Sequence, residues 1–359
     1  MFIVLACSIG LLAGLILLEI SIRIFLVRRG EFIDQIHLTM SREYGGDVTL
    51  FDIIRAASDT ARVYEMIPGA NGIFVGQPLL INRDGFRDAE HAMHKQPGVK
   101  RVAILGDSVA FGWGVQQLDR FSDQLQDMLQ TSNTKCEVLN FAVPGYNTVM
   151  ELATFRDKVL AYEPDILLLS LVDNDDELPN FVRVRPQAWS LRHCFIVETI
   201  RDRLIGRKLG DTARFALGGI AEAGGVGHAS DAVGFRPELV PPEYRFLVGE
   251  KAMRAALEQL AAEAKQRGIL PVCVVHRAFE KPTADAAGSA LSARLVDLAQ
   301  IAGFEVIDPS PAILQYLREH HLDAKGLWVK PDDFHPSPTG HRILADQIAA
   351  ALAPAIASH

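Results

Sequence analysis

Between residues 100 and 352, short apolar runs alternate with longer stretches of helical spacing. Residues 102–105, 138–142, 165–172, 271–276 and 304–308 are almost wholly apolar and end in polar or glycine residues. Runs of this length without polar alternation predict strands buried on both faces. The intervals carry apolar positions three and four residues apart. Phe121, Leu125, Met128 and Leu129 mark a helix over 119–129. Further helices are expected over 149–161, capped by Asn147 or Thr148, and over 249–267, 284–302 and 338–352. Strands alternating with such helices predict a parallel sheet covered on both sides.

Before this rhythm begins, residues 2–18 are uncharged and mostly apolar, and the apolar character continues past Glu19 and Arg23 to Val27. One helix over this stretch can cross a bilayer core of about 30 Å. Glu19 and Arg23, four apart in the favourable order, can pair near its end. A cleaved signal peptide is the competing reading. It lacks support from a basic leader or a small-x-small site after the apolar run. Val4-Leu5-Ala6-Cys7 comes too early to be a lipoprotein cleavage box. Arg28 and Arg29, taken literally, place the following chain in the cytoplasm, but large domains translocate despite such charges, so the side is left open.

The expected organisation is therefore an anchor over 1–27, a spacer and extension over 28–98 packed on the domain, and an α/β domain over 99–356. Within 28–98, Asn82, Phe86 and Arg87 are read as structural loop residues beside the site. Residues 181–248 break the strand–helix rhythm. Seven Arg or Lys against two acids in 183–208 precede a Gly- and Ala-rich section, which suits either a lid or membrane-surface segment or a solvated helix and loop.

A formal net charge of −8 with no dense basic stripe argues against nucleic acid as a partner. Four scattered cysteines form no disulfide framework. Cys136 and Cys273 read as buried thiols. No metal-ligand spacing is present, and no cofactor is called for.

The candidate chemistry gathers at strand ends. Gly106-Asp107-Ser108 ends the run at 102–105 and precedes a helix, so Ser108 sits on a strand-to-helix turn at the edge where open α/β sheets hold ligands. Gly145 follows 138–142 and Asn174 follows 165–172. Asp332 and His335 lie on a Pro-bounded loop before the last helix. A carboxylate three residues before a His can bond its Nδ1–H, which selects Asp332 over Asp333 as the orienting acid. Ser108, His335 and Asp332 then form a nucleophile, base and orienter. The N–H groups of Ser108 and Gly145 with the Asn174 amide can hold an oxyanion. Asp107 is expected to cap the turn, His276 and His341 to be structural, and Asp173, Asp175, Asp176 and Glu177 to form a solvated loop.

These residues resemble the SGNH (GDSL-type) hydrolases. Gly106-Asp107-Ser108 with Phe111-Gly112-Trp113-Gly114-Val115 is similar to the first block of that family, and Gly145 after Asn140-Phe141-Ala142-Val143-Pro144 to the second. Asn174-Asp175 is similar to the third and Asp332-Asp333-Phe334-His335-Pro336 to the fifth. The third block departs at Val172, where the family has glycine. The resemblance implies a flavodoxin-like three-layer α/β/α sandwich with a parallel five-stranded sheet. It also implies a serine esterase or acyl hydrolase, with an ester on a carbohydrate or lipid as substrate. An O-acyltransferase using the same residues and a non-catalytic anchored binding module are the alternatives.

Overall fold

In a computed structural model, residues 2–29, 46–131, 135–179, 182, 194, 196–197, 240–276, 286–331 and 333–357 are described. The chain forms two units, residues 1–39 with 180–241, and residues 40–179 with 242–359.

The larger unit is built on a five-stranded parallel sheet. Four short strands come first in the chain and pair as two antiparallel hairpins, β1 (Ile54–Ala56) with β2 (Tyr64–Met66) and β3 (Asn71–Phe74) with β4 (Gln77–Leu80). The sheet itself comprises β5 (Lys100–Leu105), β6 (Cys136–Asn140), β7 (Ile166–Leu171), β8 (Leu270–Val275) and β9 (Glu305–Ile307), in the order β6-β5-β7-β8-β9. All four pairings are parallel. Every residue of β7 is buried, as expected of a strand covered on both faces.

Seven helices of ten residues or more are described: α1 (Phe2–Arg29), α2 (Phe121–Thr131), α3 (Thr148–Asp157), α4 (Glu250–Gln266), α5 (Ala286–Ala302), α6 (Ser310–Glu319) and α7 (Pro338–Ala357). Helices α2 and α7 pack together on one face of the sheet, and α4 packs against both α3 and α5 on the other. The buried face of α4 is Met253, Ala256, Leu257, Leu260, Ala261 and Ala264, the three- and four-residue spacing that the sequence shows. Asn147 caps α3, its Oδ1 accepting from Met150 N at 3.1 Å. This is the three-layer SGNH sandwich.

Two elements differ from the sequence expectation. Helix α6 follows Pro309 and buries only Ile313 and Leu317 inward, too little apolar signal to announce it. The supposed loop before α7 is an antiparallel hairpin of β10 (Trp328–Lys330) and β11 (Asp333–Pro336).

In the smaller unit, α1 contains a stretch, Ala6–Ile24, long and apolar enough to cross a membrane, a property that a signal sequence shares. Glu19 pairs with Arg23 at 2.7 Å and also accepts the N–H of Ile196 at 3.0 Å. Of the insertion expected over 181–248, residues 182, 194, 196–197 and 240–248 are described, and the rest, which includes most of the expected lid or membrane-surface segment, lies outside the described residues.

Candidate active site

Strand β5 lies between β6 and β7, so the loops after these three strands meet at one edge. Ser108, Gly145 and Asn174 are carried there, one on each loop. Gly106 lets the turn that carries Ser108 fit tightly. A Cβ on it would stand 2.7 Å from Ala110 Cβ and 2.7 Å from Ser170 Cβ, so only glycine passes between the turn and β7. Asp107 caps the single helical turn Ser108–Phe111, with Oδ1 accepting from Val109 N at 2.9 Å. Its burial raises its carboxyl above the ordinary range.

Strand β11 brings His335 to Ser108. His335 Nε2 lies 2.8 Å from Ser108 Oγ, and His335 Nδ1 lies 2.6 Å from Asp333 Oδ1. With the imidazole proton on Nδ1, the ring donates to Asp333 and leaves Nε2 to accept from the serine hydroxyl. Ser108 Oγ also lies 3.1 Å from Asp107 Oδ2.

The carboxylate at Nδ1 is Asp333, where the spacing argument selects Asp332. Asp332 itself lies outside the described residues. Residues two apart on an extended strand share a face, while residues three apart do not, so a strand over Asp333–Pro336 favours the i, i+2 pair. The i, i+3 rule belongs to a looped chain, which the sequence suggested here.

Gly145 occupies the left-handed region at φ +78°, and a Cβ there would approach the Tyr64 hydroxyl to 2.9 Å. Tyr64 Oη donates to Pro144 O at 2.6 Å and fixes that loop from the β1–β2 hairpin. Asn174 is exposed on the turn after β7. That turn is pinned from inside by Asp175, whose Oδ2 accepts from Val172 N at 3.1 Å. Asp175 is therefore buried, a correction to its reading as part of a solvated acidic loop.

Behind the turn sits a buried acidic group. Among the described residues, neither carboxyl oxygen of Glu151 has a hydrogen-bond partner, and Asp175 Oδ1 has none either. Burial drives Glu151 far above the ordinary carboxyl range, and the charge of Asp107 adds to it. Burial and then the charge of Glu151 do the same to Asp175. Among the described residues, no cluster of His, Cys, Asp or Glu is placed to hold a metal ion.

Residues 82–88 brace the site. Asn82 Oδ1 accepts from Phe86 N, and the Arg87 guanidinium donates to Gly112 O at 2.7 Å and Val115 O at 2.9 Å. Burial lowers that guanidinium to about 9. His276 and His341 are buried on either side of Phe121, and His341 Nδ1 accepts from Phe121 N. Trp113 is a residue the sequence left unassigned. Its ring stacks on the His335 ring with centroids 5.4 Å apart, and its Nε1–H donates to Asp333 Oδ2 at 3.2 Å.

Residues 104–343 match the GDSL-like lipase/acylhydrolase family, and with two thirds of its length inside that match the chain belongs to this family. It is an ester-cleaving hydrolase of the SGNH/GDSL class. No curated protein sequence matches it. Solved structures similar to it include an acetyl xylan esterase, AlAXEase, at 15% identity and TM-score 0.43, covering 70% of this chain and 99% of that one. TesA is similar at 13% identity and TM-score 0.41, covering 71% and 99%. A lipase/acylhydrolase from Enterococcus faecalis is similar at 15% identity and TM-score 0.39, covering 71% and 96%.

Proposed function

We propose that the chain cleaves its ester through a covalent acyl-serine. Ser108 Oγ attacks the carbonyl carbon while His335 Nε2 takes the hydroxyl proton, and Asp333 holds the imidazole in the required tautomer. The N–H groups of Ser108 and Gly145 and the side-chain amide of Asn174 hold the oxyanion. Collapse of the tetrahedral intermediate releases the alcohol, protonated by His335. Water, deprotonated by the same imidazole, then releases the acid and restores Ser108. The observation that carries this reading is the line Ser108 Oγ–His335 Nε2, 2.8 Å, and His335 Nδ1–Asp333 Oδ1, 2.6 Å.

The substrate class we propose is an O-acyl or O-acetyl ester on a carbohydrate or lipid. An apolar helix of membrane-crossing length would hold the catalytic unit at a surface where lipids and glycoconjugates present such groups. The test compares the detergent-solubilised protein with its Ser108→Ala variant, using p-nitrophenyl acetate and a fluorophosphonate probe. Turnover and labelling should both be lost in the variant. Retention of either in folded Ser108→Ala protein would overturn the assignment of the nucleophile.

A further inference from the structure

The sequence Gly112-Trp113-Gly114 makes a turn that few other tripeptides could make. Both glycines are in the left-handed region, at φ +80° and +75°. A Cβ on Gly112 would collide with the side chain of Arg120, and one on Gly114 would lie 2.6 Å from Val329 Cγ2. Val329 belongs to β10, the partner of the strand that carries His335. The turn thus closes onto the hairpin and folds back on the nucleophile, with Trp113 N donating to Ser108 O at 3.1 Å. Phe74 supports the indole edge-on, with centroids 5.1 Å apart at 83°.

We propose that Trp113 is a positioning residue for the general base, its N–H holding the outer oxygen of Asp333 while its ring covers His335. The proposal rests on the reading of Ser108, His335 and Asp333 given above. Asp333 Oδ1 meets His335 twice, accepting from both Nδ1 and the backbone N. Its Oδ2 is held by the indole N–H. A carboxylate fastened at both oxygens resists rotation, so Oδ1 stays in the imidazole plane. The nearly parallel indole, tilted by 23°, confines that plane and screens one face from water. Two links to one acid–base pair come from a single side chain 220 residues away in sequence.

Trp113→Phe keeps an aromatic ring, removes the donor and gives up part of the stacked surface. Losing a neutral donor to a charged acceptor should lower kcat about 10-fold, with KM for p-nitrophenyl acetate changed less than about twofold. The carboxylate then shares less of its charge with the indole and favours the protonated imidazole more. The acid limb of kcat/KM should therefore move up by about half a pH unit. In an Asp333→Asn background the same change should cost less than about twofold, since its route of action is gone. Replacing the indole by benzothiophene, which keeps the shape and lacks the N–H, should reproduce the shift whether or not Trp113→Phe folds. Equal losses in the two backgrounds, or an unmoved acid limb with either replacement, would overturn the proposal. If Ser108→Ala retained turnover, the reading of the site would have failed instead.

Discussion

A hydrogen bond of 2.6 Å between a buried histidine and a buried aspartate sets the residue scale of this molecule. Asp333→Asn would present an amide to Nδ1 and allow the wrong tautomer, with Nε2–H facing Ser108. In a triad that change costs about 10⁴ in kcat. Asp332→Asn should leave kcat within about threefold, because one Nδ1–H serves one carboxylate and Asp333 lies 2.6 Å from it. Steady-state kinetics of the two variants with p-nitrophenyl acetate decide this, and the reverse ranking would return the orienting role to Asp332. The placement of Ser108, Gly145 and Asn174 at one sheet edge could be read from the chain, because each follows an apolar run. Which of the two adjacent aspartates meets His335 could not, since that follows from Asp333 and His335 lying two apart on β11, a strand that the sequence does not announce. Trp113 was equally hidden, because its partners lie 220 residues further along.

The same logic of close approach governs the elements. Gly106 has an ordinary backbone conformation, yet a methyl group there would lie 2.7 Å from carbons on both the nucleophile turn and β7. Overpacking of this kind costs about 1–3 kcal/mol. Gly98 makes a useful contrast, at φ +75° with nothing within 4 Å. Alanine there pays only a backbone penalty of about 1–2 kcal/mol. Both variants should unfold at lower denaturant, but only Gly106→Ala should displace Ser108 from His335. A displacement near 1 Å is enough to cost about 100-fold in kcat. Equal activity in the two would show that the turn relaxes without moving the serine. Strands β5, β7 and β8 were legible because burial on both faces writes an unbroken apolar run, and α2 and α4 because their apolar residues recur at helical spacing. The β10–β11 hairpin was not, since Pro331 and two aspartates read as a loop. The early hairpins were obscured by glycines and polar residues whose pairing is decided by what they pack on, such as Tyr64 against the Gly145 loop.

For the whole molecule, the burial of ionisable groups around the sheet edge sets how stability responds to pH. Among the described residues, neither ring nitrogen of His276 has a partner, and burial lowers it from 6.5 to about 3. A histidine kept neutral in the fold stabilises it above the unfolded value of 6.5, and that contribution is lost as pH falls. Glu151 and Asp175 act in the opposite sense. Their raised values mean that the fold keeps protons which the unfolded chain releases above its ordinary 4.5 and 3.8. Their contribution is complete below those values and is lost as pH rises. The two sets oppose one another above 4.5, the acids losing stability as pH rises while His276 regains its share up to 6.5. Variants separate the two sets by their slopes. Between pH 7 and pH 5, native protein should lose about 2 kcal/mol that His276→Gln does not lose, the value for one group titrating only when unfolded. As pH rises above 4.5, Glu151→Gln should gain on native protein by up to about 1.4 kcal/mol per pH unit. Denaturant melts of the detergent-solubilised chain across this range provide the comparison. Parallel curves for native and Glu151→Gln protein would mean that the acidic group behind the nucleophile turn is already ionised in the fold, and that the loop carrying Asn174 is held with that charge in place.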